Sequence, residues 1–169
     1  MSIPTQLMTK LLPLPIFEGL SEQEGAELFE AATEKTVGRG ATLFNEGDEG
    51  DALVIILSGD VQVTRRGVEL ATLGQHTVLG EMGLVSDEPR SATAVALSEV
   101  KLVTIPSRGV KALIKRDSVA ALKVVANLAA VMSKRLAAIN DRLVNASAPA
   151  GQKREELADF GRILTSWQF

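Results

Sequence analysis

"GEMGLVSDEPRSAT", Gly80 to Thr93, sets a carboxylate among small residues and, nine positions later, an arginine that follows a proline and precedes the hydroxyl of Ser91. Strand-like runs flank it on both sides, so "EMGLV" reads as one helical turn inserted in a sheet. The first turn of a helix presents unpaired backbone N–H groups and the positive end of its dipole, a setting that suits an anion. Gly83 in that turn allows a ligand to approach the backbone closely. Pro89 stiffens the return and biases Glu88 toward extended geometry, so Arg90 emerges in a fixed direction, able to grip a phosphate bidentately. Glu81 would repel a phosphate but can accept hydrogen bonds from a sugar hydroxyl. A ribose phosphate satisfies both groups. A plain surface ion pair between Glu81 and Arg90, contributing about 0 to 1 kcal/mol, is the other reading the stretch allows by itself.

Outward from this stretch, short β-type runs fill the chain from about Lys35 to Ile105: "ATLF", "ALVIIL", "DVQVT", "VELATL", "TAVAL" and "KLVTI". Gly, Asp and Asn turns separate them at about 8 to 12 residues, the spacing of an antiparallel sandwich or barrel. "SGD" at Ser58–Asp60 and "RRG" at Arg65–Gly67 read as hairpin turns, because glycine supplies the positive φ they need. Upstream, "SEQEGAELFEAA" from Ser21 to Ala32 offers a serine N-cap, Glu24 three residues on, and Leu28 and Phe29 on an apolar stripe, which predicts a short amphipathic helix. Downstream, from about Val110, the chain is rich in Ala, Leu, Lys and Val, and Asp117 with Ser118 signals the start of a helix running to about Asn145. "ASAPAG" at Ala146–Gly151 reads as a linker before a last amphipathic helix in "KREELADFGRILTSW". The organisation is a helical segment at 1–34, a β section at 35–106 holding the 80–93 stretch, helices at 107–145, and linker plus terminal helix at 146–169.

Composition narrows the function classes. The chain has 169 residues, 46% of them hydrophobic and 4% aromatic, enough for one domain with a sizeable core. A net charge of −3 lacks the basic excess expected of a nucleic-acid binder. With no cysteine and one histidine, disulfides, thiolate metal sites and paired-histidine sites are excluded, and His76 in "LGQHT" reads as a surface loop residue. No nucleophile and base pair or metal set accompanies the 80–93 stretch, so an enzyme is not expected, nor a cofactor. No apolar run reaches the roughly 18 residues of a membrane span, and no signal peptide is evident, which points to the cytoplasm.

The ordered set of "LPIFEGLSEQEGAELF", "LFNEGDEGDALVIILSGDVQV", "LATLGQHTVLGEMGLV" and "PRSAT" resembles the cyclic nucleotide-binding domain family, over roughly Leu14 to Val144. That family includes the catabolite activator proteins, regulatory regions of cyclic nucleotide-dependent kinases and gated channels. The resemblance implies an α+β fold: an antiparallel β-roll, like a jelly roll or double-stranded β-helix, flanked by N-terminal helices and a long C-terminal helix. It implies a phosphate-binding cassette at 80–93. Glu81 would take the ribose 2′-hydroxyl, and Arg90 with Ser91 the cyclic phosphate. Backbone N–H groups near Gly83 and Leu84 would complete the phosphate contacts, with Gly80 and Ala92 also among the ligand-binding residues, while Met82, Leu79 and Val63 would pack on sugar and base. Leu79 and Val54 stand where the family often has phenylalanine and tyrosine, and both substitutions keep an apolar core.

For the base, the resemblance places Ile139 and Asn140 of "MSKRLAAINDRL" on the helix that reaches adenine in catabolite activator relatives. The Asn140 amide can donate to and accept from a purine edge, and Ser91 in place of threonine also leans to cyclic AMP. Asp141 would suit guanine instead, which keeps cyclic GMP as the alternative. The same helix carries Leu122, Val125, Ala129, Met132, Leu136, Ile139 and Leu143 at alternating spacings of 3 and 4, the seam of a parallel coiled-coil homodimer. Val124, Leu128 and Val131 lie on another face, suited to packing on the roll. Many bacterial relatives continue into a DNA-binding domain. The 18 residues after the linker are too few for one, so DNA binding is not expected and a stand-alone sensor acting on an unidentified protein effector is, unless the chain is the sensor part of a longer transcription regulator. Leu157, Phe160, Leu164 and Trp167 give the terminal helix one apolar face, read as a packed helix, a lid or a docking element.

Overall fold

"ALVIILS" forms strand β3 (Ala52–Ser58), in which Leu53 to Ile56 are all buried, so both faces of this strand are covered and it lies inside a sheet. The computed structural model describes residues 5–86 and 88–147. Residues up to Leu128 form one unit and those from Ala129 another, and each is described by itself.

In the first unit β3 sits in an antiparallel sheet ordered β1 (Thr33–Val37), β8 (Val100–Pro106), β3, β6 (Val78–Leu79). A second antiparallel sheet runs β2 (Thr42–Phe44), β7 (Thr93–Ala96), β4 (Val61–Arg65), β5 (Val68–Leu73). Alternation along the strands divides the side chains: Val54 and Ile56 of β3 join Val100 and Leu102 of β8, Val61, Leu79, Ala94 and Ala96 in the core of the roll. Leu53, Ile55, Val103 and Ile105 are buried on the opposite face of the first sheet. Against β8 and β3 packs helix α4 (Ser107–Ile114), which α2 (Glu22–Phe29) meets in turn. Burying each such aliphatic side chain contributes roughly 1.5 to 3 kcal/mol before entropy is charged.

The β-roll and flanking helices match the expected fold class. Ser21 and Glu24 form the expected capping box, each side chain bonded to the other's backbone N–H at 3.2 and 2.7 Å. Phe17, in a 3₁₀ turn at Pro15–Phe17, meets Phe29 edge-on with ring centroids 4.9 Å apart. Helix α1 (Thr5–Leu11) precedes them, and β1 begins at Thr33, two residues before the expected β section. "RRG" is a hairpin turn: Arg65 pairs with Val68, and Arg66 and Gly67 have φ of 49° and 77°, the two left-handed positions of a tight primed turn.

"SGD" is not a hairpin. β3 and β4 belong to different sheets, so Ser58–Asp60 is a corner that carries the chain from one layer to the other. Gly59 has φ +88°, and a Cβ there would overlap Glu99 O, so the corner needs glycine for conformation and for space. His76 lies exposed on a loop, as expected, with φ 66° and its ring bonded to Gln75.

Helix α5 spans Val119–Ser147. In the first unit Ala120, Ala121, Val124 and Leu128 are buried, while Leu122 is 49% exposed. Lys123 donates to Gly19 O and to both Glu24 carboxylate oxygens at 2.8 to 2.9 Å, and Asn127 Nδ2 donates to Glu18 O at 2.8 Å. These bonds tie the start of α5 to the N-terminal helices. In the second unit Leu136, Ile139 and Leu143 are exposed. The linker after Ser147 and the terminal helix with Leu157, Phe160, Leu164 and Trp167 lie outside the described residues.

Candidate functional site

Arg90 stands between Pro89 and the strand β7, and its backbone is clamped before its side chain is considered. Its N–H donates to Asp48 O and its carbonyl accepts from Gly47 N, both at 2.8 Å. The donor loop is itself folded by Asp48, whose carboxylate accepts from Asn45 N, three residues back, at 2.7 Å. Two stretches some forty residues apart therefore hold one arginine.

The side chain is 5% exposed. Nη2 donates to Ala52 O at 2.8 Å and reaches Asp51 Oδ1 at 3.4 Å. The Phe44 ring covers the guanidinium, with Cζ 4.4 Å from its centroid, a cation–π geometry. Burial pulls the guanidinium below its ordinary pKa, and the charges of Asp51, Asp48 and Glu81 pull it back, which leaves it protonated at any physiological pH. Among the described residues, Arg90 Nε and Nη1 are the buried side-chain polar atoms with no hydrogen-bond partner. An unpaired buried donor costs about 1 to 3 kcal/mol, more when charged, so an acceptor reaching either atom would offset that cost.

The glycines of the cassette serve the arginine and the loop. Gly80 has φ +78°, and a Cβ on it would overlap Arg90 Nη1 and stand 2.7 Å from Ala52 O. Only glycine leaves room there for the guanidinium. Gly83, expected to let a ligand close to the backbone, packs against Gly50, since a Cβ on Gly83 would overlap Gly50 O. The helical turn α3 (Met82–Val85) forms where expected, with Glu81 at its N-cap. Leu84 was expected to offer its N–H to phosphate, but the turn itself uses that donor, bonding Leu84 N to Glu81 O at 3.1 Å.

Of the other expected residues, Glu81 is half-buried at the start of α3, and Met82 beside it is 40% exposed. Ser91 is exposed next to Arg90, and Ala92 is buried. Leu79 belongs to the core of the roll, with Val63 packed against it. Asn140 lies on α5 in the second unit. The partners the sequence did not disclose are Phe44, Gly50, Asp51 and the carbonyl of Ala52, all on the β2–β3 connection and its margins. A cavity of about 1020 Å³ includes Arg90, Phe44, Asp51 and Val54 in its lining, and Thr33, Lys35 and Thr104 as well. Of the expected site residues it includes Arg90 and not Glu81, Ser91 or Met82.

The family model described as the cyclic nucleotide-binding domain matches residues 34–117. A cyclic AMP receptor protein of Thermus thermophilus is 36% identical over 128 residues, 72% of this chain and 57% of that protein. A cAMP-dependent protein kinase regulatory subunit of Yarrowia lipolytica is 35% identical over 106 residues, 62% of this chain and 28% of that protein. The chain thus spans less than two thirds of the length of these relatives. A solved N-terminal domain of a transcriptional regulator from Streptomyces coelicolor superposes with a TM-score of 0.59 at 35% identity, covering 78% of this chain and 92% of that one.

Proposed function

The chain belongs to the cyclic nucleotide-binding domain family, and from that premise we propose that it is a sensor that binds cyclic AMP through Arg90 and signals through its C-terminal helix. The observation that carries this reading is the pair of buried Arg90 donors, Nε and Nη1, that lack any acceptor of their own. Guanidinium N–H donors make charge-assisted hydrogen bonds to phosphate oxygens. Ser91, exposed beside it, adds a hydroxyl donor, and Glu81 at the cap of α3 accepts from the ribose 2′-hydroxyl. Met82 covers sugar or base from the exposed side. Two of the relatives are named for cyclic AMP, which supports that nucleotide over cyclic GMP, and Asn140 is the residue we assign to the adenine edge.

Signalling requires that ligand and helix position be linked, because a ligand shifts an equilibrium only by binding one state better than the other. Leu122 in the first unit and Leu136, Ile139 and Leu143 in the second are all about half or more exposed, which supports a homodimer through the α5 seam. The role is regulatory and not enzymatic, in the cytoplasm, with a protein effector downstream. Among the described residues no helix is long and apolar enough to cross a membrane.

Titration calorimetry with cyclic AMP tests the reading: the parent binds with one site per chain and Arg90→Ala loses most of the affinity. Absence of heat with the parent, or equal affinity in the variant, would refute it. Light scattering at tens of micromolar should give the mass of two chains, and a single-chain mass would remove the dimer.

A further inference from the structure

A second cavity, of about 640 Å³, lies on the other side of the first sheet from Arg90. Strand alternation separates the two. Thr33 and Lys35 of β1 line the Arg90 cavity and Glu34 between them lines this one; Thr104 of β8 lines the first and Lys101 the second. Among the described residues none lines both. A β-bulge in β3 builds one wall: Ile56 pairs with Leu102 and Ser58 with Lys101, so two steps on β3 oppose one on β8. Without the extra residue Ser58 would continue the Val54 and Ile56 series into the roll. With it, Ser58 joins Leu57 and Lys101 on the outer face, and all three line the cavity. Directly before the bulge Ile56 holds the 75–77 loop by two backbone bonds, His76 N to Ile56 O at 2.8 Å and Ile56 N to Thr77 O at 2.9 Å. His76 takes a left-handed φ of 66° there, a conformation that costs a residue with a Cβ and recurs at ligand sites.

We propose that this second cavity binds a small organic carboxylate with an apolar body, independently of the Arg90 site. The apolar part of the lining is Pro13, Leu14 and Pro15, which follow α1, together with Leu57 at the bulge. The charged part is Lys10 at the end of α1, Lys101 and Glu34, two cations against one carboxylate. Among the described residues neither lysine is in a salt bridge, although Glu34 stands only one strand pair from Lys101 on the same face. The surplus charge is therefore positive and unspent. Neutral donors complete the lining: the Ser58 hydroxyl, the Gln75 amide and the His76 ring. Gln75 Nε2 lies 3.1 Å from His76 Nε2, and an amide nitrogen can only donate, so the ring accepts there and carries its proton on Nδ1 as a further donor. One surplus cation among donors suits a single negative charge, and the proline and leucine surface suits the hydrocarbon behind it.

Amide chemical shifts of the ¹⁵N-labelled full chain test this with benzoate as the probe and benzamide as its uncharged counterpart of nearly equal shape. Benzoate should shift the amides of Leu57, Ser58, Gln75, His76 and Lys101 along one saturable curve, in the parent and equally in Arg90→Ala, where the anion site across the sheet is gone. Benzamide should bind about fivefold or more weakly, and raised salt should weaken benzoate alone. Lys10→Gln with Lys101→Gln removes two exposed charges, so the rest of the spectrum should stay as in the parent while benzoate affinity falls about fivefold or more. No saturable shift at these amides, equal affinity for benzoate and benzamide, or full benzoate affinity in the double variant would each overturn the site. Loss of the shifts in Arg90→Ala would overturn it as well, by assigning the benzoate to the Arg90 cavity.

Discussion

The two parts of the roll interior are built on opposite rules. Around Ile56, Val61, Val100 and Leu102 the space between the sheets is filled by aliphatic side chains, each 3% exposed or less. Around Arg90 a charged side chain is buried to a similar depth, with two donors unpaired and with glycines at Gly80, Gly50 and Gly83 where larger residues would collide. The first arrangement maximises burial and needs nothing from outside. The second gives up stability to keep a cation desolvated and aimed, a cost that makes sense when a ligand repays it. Substitutions in the two parts should therefore separate binding from stability.

Arg90→Met carries the largest expected effect on binding. Truncating one member of a buried charged hydrogen-bonded pair costs roughly 2 to 5 kcal/mol, about 30-fold to several thousand-fold in Kd. The melting temperature should hold or rise, because a buried charge with unpaired donors is replaced by an apolar chain of similar length. Leu102→Ala is the mirror experiment: a loss of about 2 to 5 kcal/mol in denaturant unfolding, with cyclic AMP affinity of the folded fraction unchanged. If Arg90→Met melts far lower and Leu102→Ala abolishes binding, the contrast between the two parts is wrong.

Gly80→Ala probes the boundary between them. It places a Cβ at a φ of +78° and against the guanidinium, so calorimetry should show weakened cyclic AMP binding together with about 1 kcal/mol or more of lost stability. Unchanged affinity would show that the Arg90 position tolerates displacement. Asn140→Ala should narrow the preference for cyclic AMP over cyclic GMP by about 0.5 to 1.5 kcal/mol, the worth of one hydrogen bond to a neutral group, without abolishing binding. Equal affinities for the two nucleotides in the parent would remove Asn140 as the reader of the base.

The smallest effect lies far from the site. The Lys123 ammonium and the Ser21 backbone hold the Glu24 carboxyl below its ordinary pKa. A lowered folded-state pKa stabilises above the unfolded value and is lost as pH falls through the folded one. Glu24→Gln should therefore lower Tm slightly at pH 7 and by less as pH falls into the acid range, and a Tm difference that does not shrink toward low pH would assign the loss to packing.

The strand runs, the capping box, the "RRG" turn and the helical turn at Met82–Val85 were legible because each is decided by residues within a few positions of one another. β1 was not named as a strand because "TEKTV" is exposed at four of its five positions and shows no apolar alternation. "SGD" carries the same local signal as a hairpin, and only the choice of partner strands, which is non-local, makes it a corner. In the site, Glu81 and Arg90 could be singled out by residue type and order. The contacts that aim Arg90 come from Asp51 and Ala52, 39 and 38 positions upstream, and no local pattern encodes a reach of that length. Gly83 shows the limit in miniature: the need for a small residue was read correctly, and the neighbour that imposes it, Gly50, was not.

The central claim is that the unpaired guanidinium donors of Arg90 receive the ligand phosphate, and the Nε–H of that residue can be watched directly. In ¹⁵N-labelled protein the Arg90 Nε–H resonance, assigned by its loss in Arg90→Lys, should shift downfield and become protected from solvent exchange as cyclic AMP is added, saturating at the same ligand ratio as the calorimetric titration. A resonance that neither moves nor gains protection while cyclic AMP binds would place the phosphate elsewhere.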